Sequence, residues 1–377
     1  MTICSRCVYD DTVPGITFDR DGVCNFCHQH DQYCRDYPAG DEGLARLHEI
    51  ADQIRHRQRN RAFDVAVGVS GGCDSSYLLH LTKEVLHLRP LAVHFDNTWN
   101  SVTATENLHK VLSKLGVPLQ TYVVNSYEYD ELYKAFLRSG TPDLEAPSDI
   151  GLAAVLYDAA SKNGIRDIFI GHSFRTEGVS PLGWLYMDGR YIKDVFKRHG
   201  NGPLKTYPNM TFAKQLWWMG VKGIRQWRPF WWHDHHKEST KVLLAGAYDW
   251  KWYGGHHCEN RITEFYHSYF MPKRWGIDQR KNGYAALVRS GQMDRDEALD
   301  ILSKPAECDP DTVDMVVKRL CGNREMLDFY MRLPKRYYTD YRNYRRLFQR
   351  TRPLWKFLAG LDRAPRSFVD KYCAKEK

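Results

Sequence analysis

No long apolar run interrupts this chain of 377 residues. Nothing in it approaches the roughly 20 consecutive apolar residues that cross a bilayer. Its opening residues, Met1-Thr2-Ile3-Cys4-Ser5-Arg6-Cys7, lack the apolar stretch of a secretory signal. No internal repeat and no long disordered tract is visible, which argues against solenoids and unfolded linkers. The expectation is a cytoplasmic protein. In a reducing compartment its 10 cysteines are better read as metal ligands or buried thiols than as disulfides. What is present is a 43% hydrophobic share, enough for a real core, in a chain long enough for two or three units.

The net charge of +8 is unevenly spread. Lys335 to Lys377 carries 13 Lys/Arg against 4 Asp/Glu, a surplus of nine, so the preceding residues sum to about −1. The basic character belongs to the tail.

Residues 41–62 have Leu44, Leu47, Ile50 and Ile54 at helical spacing. Phe63-Asp64-Val65-Ala66-Val67-Gly68-Val69 then reads as a buried strand, with a helix predicted from Ser75 to about Leu86. Further strands are predicted at Leu91–Phe95, Gln120–Val124 and Asp167–Gly171. Helices are predicted near Val102–Leu115, Tyr129–Leu137 and Ile150–Lys162. Strands alternating with amphipathic helices imply an α/β fold built on a doubly wound parallel sheet, with ligands at the carboxyl ends of its strands. Residues 175–235 read as irregular substrate-side insertions. A helical region is predicted from about Pro272, including Asp294–Leu302.

Between the first strand and its helix lies Ser70-Gly71-Gly72-Cys73-Asp74-Ser75-Ser76. Glycines let the backbone turn tightly and bring N–H groups against an anion, and the following helix points its positive end at the same place. Ser70, Ser75 and Ser76 can add hydroxyls. Asp74 cannot donate to phosphate, so organising Mg2+ is its sensible role. The loop has no lysine and is not the GxxxxGK[ST] loop of γ-phosphate-cleaving enzymes. In this setting the string resembles the PP-loop of the ATP pyrophosphatase superfamily, which cleaves ATP between its α and β phosphates. The resemblance implies a HUP-like, Rossmann-type sheet, with ATP bound by Ser70, Gly71, Gly72, Asp74, Ser75 and Ser76. It implies further that backbone groups around Phe95 meet adenine, that Asp96 lies near the ribose, and that Gly171-His172 closes the site. The plainer reading of Asp96 is a turn cap.

Cys4-x2-Cys7 and Cys24-x2-Cys27 have the spacing of two knuckles closing on one tetrahedral ion, most simply Zn2+. Four protein ligands leave no open position, so such a site is structural. His28 and His30 are adjacent alternatives whose plainer reading is a solvated surface. Cys34, Cys73, Cys258, Cys308, Cys321 and Cys373 show no ligand spacing and read as buried or incidental thiols.

Two longer strings narrow the acceptor. Phe18-Asp19-x2-Gly22-Val23-Cys24-Asn25-Phe26-Cys27 and Trp252-Tyr253-Gly254-Gly255-His256-His257-Cys258-Glu259-Asn260-Arg261-Ile262-Thr263 resemble the N-acetyl sugar amidotransferases of the WbpG/PseA type. The similarity continues through Tyr269, Pro272, Lys273 and Gly276-Ile277-Asp278 to Arg295 and Glu297. The resemblance implies conversion of an N-acetyl group on a nucleotide-linked sugar to an acetamidino group. The setting would be bacterial lipopolysaccharide O-antigen or flagellin glycan synthesis. It also implies ammonia delivered by a HisH-like glutaminase and a HisF-like barrel, because the chain shows no glutaminase motif of its own. His256, His257, Arg261 and Lys273 become candidate substrate contacts, and for Arg261 and Lys273 solvent-facing charge fits equally well. His256 stands where relatives tend to have lysine, and it could bind an anion only when protonated.

The organisation expected is a cysteine segment over 1–40, a linker helix over 41–62, an ATP pyrophosphatase domain over 63–270 and a helical region with a basic tail over 271–377. The chief alternative is a tRNA-modifying PP-loop enzyme. Lys335-Arg336-Tyr337-Tyr338 and Tyr344-Arg345-Arg346 interleave cations with aromatics, as nucleic-acid binders do. The reactive-cysteine motifs of tRNA thiolases are missing, which makes a nucleic-acid partner the weaker expectation.

Overall fold

The computed structural model describes residues 2–255 and 258–374. Five parallel strands form its sheet: β1 (Val65–Val69), β2 (Pro90–Asp96), β3 (Leu119–Val123), β4 (Asp167–Phe169) and β5 (Arg225–Trp227). Their spatial order is β3-β2-β1-β4-β5. The chain winds outward from β1 through β2 to β3, then returns to the other side of β1. The order therefore reverses between β1 and β4, and a crevice opens at the carboxyl ends of those two strands.

The first helices are α1 (Asn25–Asp36), α2 (Gly40–Gln58), α3 (Cys73–His80), α4 (Val102–Leu115), α5 (Ser126–Ser139) and α6 (Ala146–Lys162). Alternation along β1 decides which face each covers. Val65, Val67 and Val69 face a core completed by Leu47 and Ile50 of α2, Leu78 of α3 and Leu108 of α4. Ala66 faces the other core, with Leu132 and Phe136 of α5 and Ala154 and Leu156 of α6. Both faces of the sheet are covered, as in a doubly wound parallel fold.

Residues 175–235 are more regular than their sequence predicts. They contain α7 (Gly189–His199), α8 (Phe212–Gln215) and β5. Asp188 caps α7 by accepting from Arg190 N and Tyr191 N. β5 is a polar three-residue edge strand, Arg225-Gln226-Trp227, so it lacks the apolar run by which a central strand is read.

Helices α9 (Lys237–Tyr248), α10 (Arg261–Phe265), α11 (Arg280–Arg289) and α12 (Arg295–Ser303) follow. The helical region thus starts before Pro272, which lies inside π-helical turns spanning Tyr266–Trp275. A π turn already interrupts the i to i−4 ladder, so proline is tolerated there instead of starting the helix. The cysteine segment packs on α11 and α12, with Tyr9 and Trp184 beside Ala285 and Ala298.

The chain ends with α13 (Pro310–Val316), α14 (Arg324–Arg332), α15 (Arg345–Arg350), α16 (Arg352–Gly360) and α17 (Arg366–Tyr372). Phe348, Trp355, Leu358 and Tyr372 join the main core. Each large side chain buried in this way contributes about 2–3 kcal/mol. No described helix is long and apolar enough to cross a membrane.

Candidate active site

The Ser70–Ser76 loop lies at the carboxyl end of β1, and Gly72 is the N-cap of α3. Gly71 has φ +82°, and a Cβ there would lie 2.0 Å from Ala104 O, so no other residue fits. Trp250 Nε1 donates to Gly71 O at 3.1 Å. Ser70 and Ser75 hydroxyls are 3.2 Å apart. The N–H groups a phosphate would need point at displaceable hydroxyls: Gly72 N donates to Ser70 Oγ and Cys73 N to Tyr253 OH, each at 3.2 Å. Ser76 is buried beneath the loop. Tyr253 is pushed well above the usual phenol range by burial and the Glu259 carboxylate, and so remains a neutral hydroxyl.

Asp74, in the first turn of α3, accepts from His235 Nε2 at 2.8 Å and lies 3.2 Å from Lys237 Nζ. Lys237 Nζ is also 3.9 Å from Glu177 Oε1. Burial would push the Asp74 carboxyl up, but Lys237 and His235 outweigh it and hold it well below the usual carboxylate range. Burial opposes the charge on Lys237 too, and Asp74 and Glu177 raise its pKa in spite of it. His235 is 1% exposed and lies flat on Phe230, with ring centroids 4.3 Å apart. Two carboxylates from separate loops thus face one ammonium group. Their oxygens are hard donors of the kind Mg2+ takes, and the Lys237 ammonium holds the position between them.

The other predicted residues fall around this crevice. A Cβ on Gly171 would lie 3.5 Å from Asp74 C, so β4 delivers its loop directly to α3. His172 is tied on both sides: Nε2 bonds Gly178 O at 2.8 Å, and Nδ1 accepts from Trp231 Nε1 at 3.4 Å. Burial and then Arg228 lower its pKa to about 3, so it is neutral. The Phe95 ring is buried against Tyr129 and Gly151. Asp96 caps the next turn, accepting from Thr98 N at 2.8 Å.

Arg261 binds Asp309 Oδ2 at 2.8 Å and Thr312 Oγ1 at 2.7 Å, clamping α10 to α13. Lys273 sits over the Tyr269 ring at 3.9 Å, beside a cleft of about 400 Å³ that Ser268, Cys308 and Arg324 also line. Among the described residues, none of Ser70–Ser76 lines that cleft. His256 and His257 lie outside the described residues.

Sequence reasoning missed Glu177, and the pair His235 and Lys237; it quoted Tyr253 and Glu259 in the Trp252–Thr263 string but gave them no role. The only signal for the pair was the density of titratable groups in His233-Asp234-His235-His236-Lys237. Only its first three residues fall in the irregular insertion expected over 175–235, and Lys237 lies just beyond it. Glu259 lies over the loop, where a Cβ on Gly72 would come within 3.0 Å of its Oε1.

The four knuckle cysteines are fully buried. Their sulfurs all lie within 4.8 Å of one another. Cys4–Cys27 and Cys7–Cys24 are 3.8 Å apart and Cys24–Cys27 3.6 Å. A tetrahedral ion with bonds of about 2.3 Å to sulfur needs edges of about 3.8 Å, so the set fits one. Neither neighbouring histidine joins it. His28 pairs with Asp19 at 2.8 Å, and His30 is buried edge-on against Phe174.

Residues 259–359 match the family model described as the C-terminal domain of WbpG-like LPS biosynthesis proteins. No curated protein matches the chain. Among solved structures, the chain is similar to an NH3-dependent NAD synthetase from Campylobacter jejuni: 14% identity, TM-score 0.32, covering 78% of this chain and 98% of that one. It is also similar to the U34-tRNA thiolase NcsA from Methanococcus maripaludis: 14% identity, TM-score 0.31, 88% of each chain. A third is NMN synthetase from Francisella tularensis: 13% identity, TM-score 0.31, 76% of this chain and 94% of that one.

Proposed function

We propose that this chain is an ATP-dependent N-acetyl sugar amidotransferase that cleaves ATP between the α and β phosphates. One observation carries the ATP chemistry. The Ser70–Ser76 loop opens at the switch point of the sheet, with Asp74 facing Lys237 and Glu177. The match of residues 259–359 to a WbpG-like domain supports a sugar as acceptor.

An amide carbonyl is a poor electrophile because its nitrogen donates into it. Attack of the carbonyl oxygen on the α-phosphorus forms an O–P bond and expels pyrophosphate. The acetamido carbon becomes an imidate carrying AMP as leaving group. Ammonia then adds to that carbon, the C–O bond breaks, AMP departs, and loss of a proton leaves the acetamidino group. Backbone N–H groups of Gly72 and Cys73, with the Ser70 and Ser75 hydroxyls, hold the phosphates. Lys237 neutralises charge on the leaving pyrophosphate. Mg2+ held by Asp74 and Glu177 would supply further neutralisation. The four cysteines would hold Zn2+ as a structural ion. By the family resemblance, ammonia would come from a HisH-like glutaminase through a HisF-like barrel partner.

The test is a reaction with ATP, Mg2+, ammonium chloride and a panel of UDP-linked N-acetyl sugars. AMP and pyrophosphate should appear only with the matching sugar. ADP and phosphate as products would contradict the reading.

One observation favours a second reading, modification of tRNA. Arg190, Arg342, Arg346 and Arg350 line a groove of about 710 Å³. Against it, several of the tail's aromatics are spent on packing: Tyr338 stacks on Tyr186 at 4.2 Å and Trp355 is fully buried, while Tyr337 and Phe357 stay exposed. Arg345 caps carbonyls of Lys371, Tyr372 and Ala374. Burial pushes the Cys73 thiol up to about 12, which leaves the loop without a thiolate. tRNA-stimulated pyrophosphate release, lost in Arg346→Glu/Arg350→Glu, would favour this second reading.

A further inference from the structure

Helix α11 and the turn that follows it touch both the cysteine cluster and the loops that carry Glu177 and His235. On the cluster side, the Arg289 guanidinium lies 3.2 Å from Cys7 Sγ and 3.4 Å from Cys27 Sγ, and 4.5 Å over the Tyr9 ring. Lys281 pairs with Asp10. Just beyond α11, Arg295 donates to Cys4 O at 2.9 Å and Cys7 O at 3.2 Å. A cationic donor on the sulfurs, here Arg289, offsets the negative charge that such a cluster keeps after binding a divalent ion.

On the phosphate side, Ser290 Oγ donates to Arg175 O at 2.9 Å, and Gln292 Nε2 donates to His235 O at 3.2 Å. Asn282 joins the two sides within one amide group. Its Oδ1 accepts from Tyr9 OH at 2.6 Å, and its Nδ2 donates to Glu177 O at 2.7 Å. The fit at the loop is close. Gly178 has φ +71°, and a Cβ there would come within 2.9 Å of Asn282 Oδ1. Tyr9 lies between Cys7 and Asp10 and packs edge-on against Phe26 and Trp184, so its hydroxyl position depends on the folded knuckle.

We infer that the cysteine site positions the phosphate site: Asn282 is a positioning residue that transmits the placement of Tyr9 to the Glu177 loop. The consequence of that placement for turnover rests on the proposed role of Glu177 beside Asp74. The coupling itself does not. Metal in the cluster fixes Tyr9, Tyr9 fixes the Asn282 amide, and that amide holds the backbone of the loop whose carboxylate faces Lys237. Loss of either hydrogen bond loosens the loop, which His172 and Ser290 still hold at Gly178 O and Arg175 O, without opening the cluster, because Arg289 and Arg295 reach the cysteine segment independently.

The experiment uses the full chain with its metal bound, comparing wild type with Tyr9→Phe and Asn282→Ala. Tyr9→Phe removes one hydroxyl and keeps the ring packing. Metal content by mass spectrometry should stay the same in all three. Amide hydrogen exchange over residues 173–179 should rise about tenfold in both variants. The Mg2+ concentration giving half-maximal ATP turnover should rise several-fold, with kcat at saturating Mg2+ little changed. Chelating the metal from wild type should raise exchange over the same segment at least as much as Asn282→Ala does, because it also loosens the α1 rings packed on Phe174. Unchanged exchange over 173–179 in the metal-loaded variants would overturn the inference. So would chelation that leaves this segment at wild-type exchange. Raised exchange with no shift in Mg2+ requirement upholds the coupling and removes the proposed role of Glu177 instead.

Discussion

The cysteine cluster and the crevice around the Ser70–Ser76 loop are built on opposite plans. The cluster draws every ligand from one short segment, Cys4 to Cys27, and buries all four thiols completely. The crevice takes its loop from after β1, Glu177 from after β4, His235 and Lys237 from the start of α9, and Glu259 from before α10. A closed site that needs only identical ligands at turn spacing can be written locally. A site that must hold opposite charges around an exchangeable substrate is assembled from distant loops, each placed by the sheet.

That contrast predicts effects of different size. The largest belongs to the cluster. Cys4→Ser/Cys7→Ser should lose the metal and unfold the first 36 or so residues, since thiolate-zinc binding contributes on the order of 10 kcal/mol of folding free energy. Metal analysis and limited proteolysis would show it, and a variant that kept both metal and fold would break the comparison at its first term. Next is Asp74→Ala, which should lower pyrophosphate release by about 10²–10³-fold and leave metal content untouched. Retention of the wild-type rate would remove the phosphate loop from the account.

These two sites were not equally legible. The cysteine spacing and the Ser-Gly-Gly-x-Asp-Ser string stand in the sequence with their contexts, and so does the sheet, because β1 and β2 are buried apolar runs. The partners of Asp74 do not. Lys237 opens a helix directly after a string of histidines, and nothing local says that its ammonium lies between Asp74 and Glu177. Arg261 illustrates the converse: family resemblance nominates it for substrate, while its guanidinium is engaged by Asp309 and Thr312. The basic tail divides in the same way. Its charge count is visible, but burial of Phe348 and Trp355 is set by packing against distant helices.

Smaller effects sharpen the comparison within the crevice. Gly71→Ala should destabilise the protein by about 2–3 kcal/mol, because it forces a left-handed backbone and a Cβ into Ala104 O. Thermal unfolding would measure it. An unchanged midpoint would mean the loop has room that its geometry denies.

The smallest effect concerns pH. His172 has a folded pKa of about 3 against 6.5 when unfolded. Between those values the unfolded chain binds a proton that the folded chain refuses, so stability falls as pH drops through the window. At about pH 5 the loss should be about 1–2 kcal/mol, and it should be absent from His172→Gln. Denaturant unfolding of both proteins across that range tests it. Parallel curves would mean that His172 takes up its proton as readily folded as unfolded.

The most direct measurement follows one atom. An N-acetyl sugar substrate carrying a heavy oxygen isotope in its acetyl carbonyl is turned over with ATP and ammonium, and the products are analysed by mass spectrometry. If the carbonyl oxygen attacks the α-phosphorus, the label leaves in AMP and the acetamidino sugar is lighter by the difference between that oxygen and an NH group. Label found in pyrophosphate or phosphate, or retained in the sugar while ATP is consumed, would contradict the account.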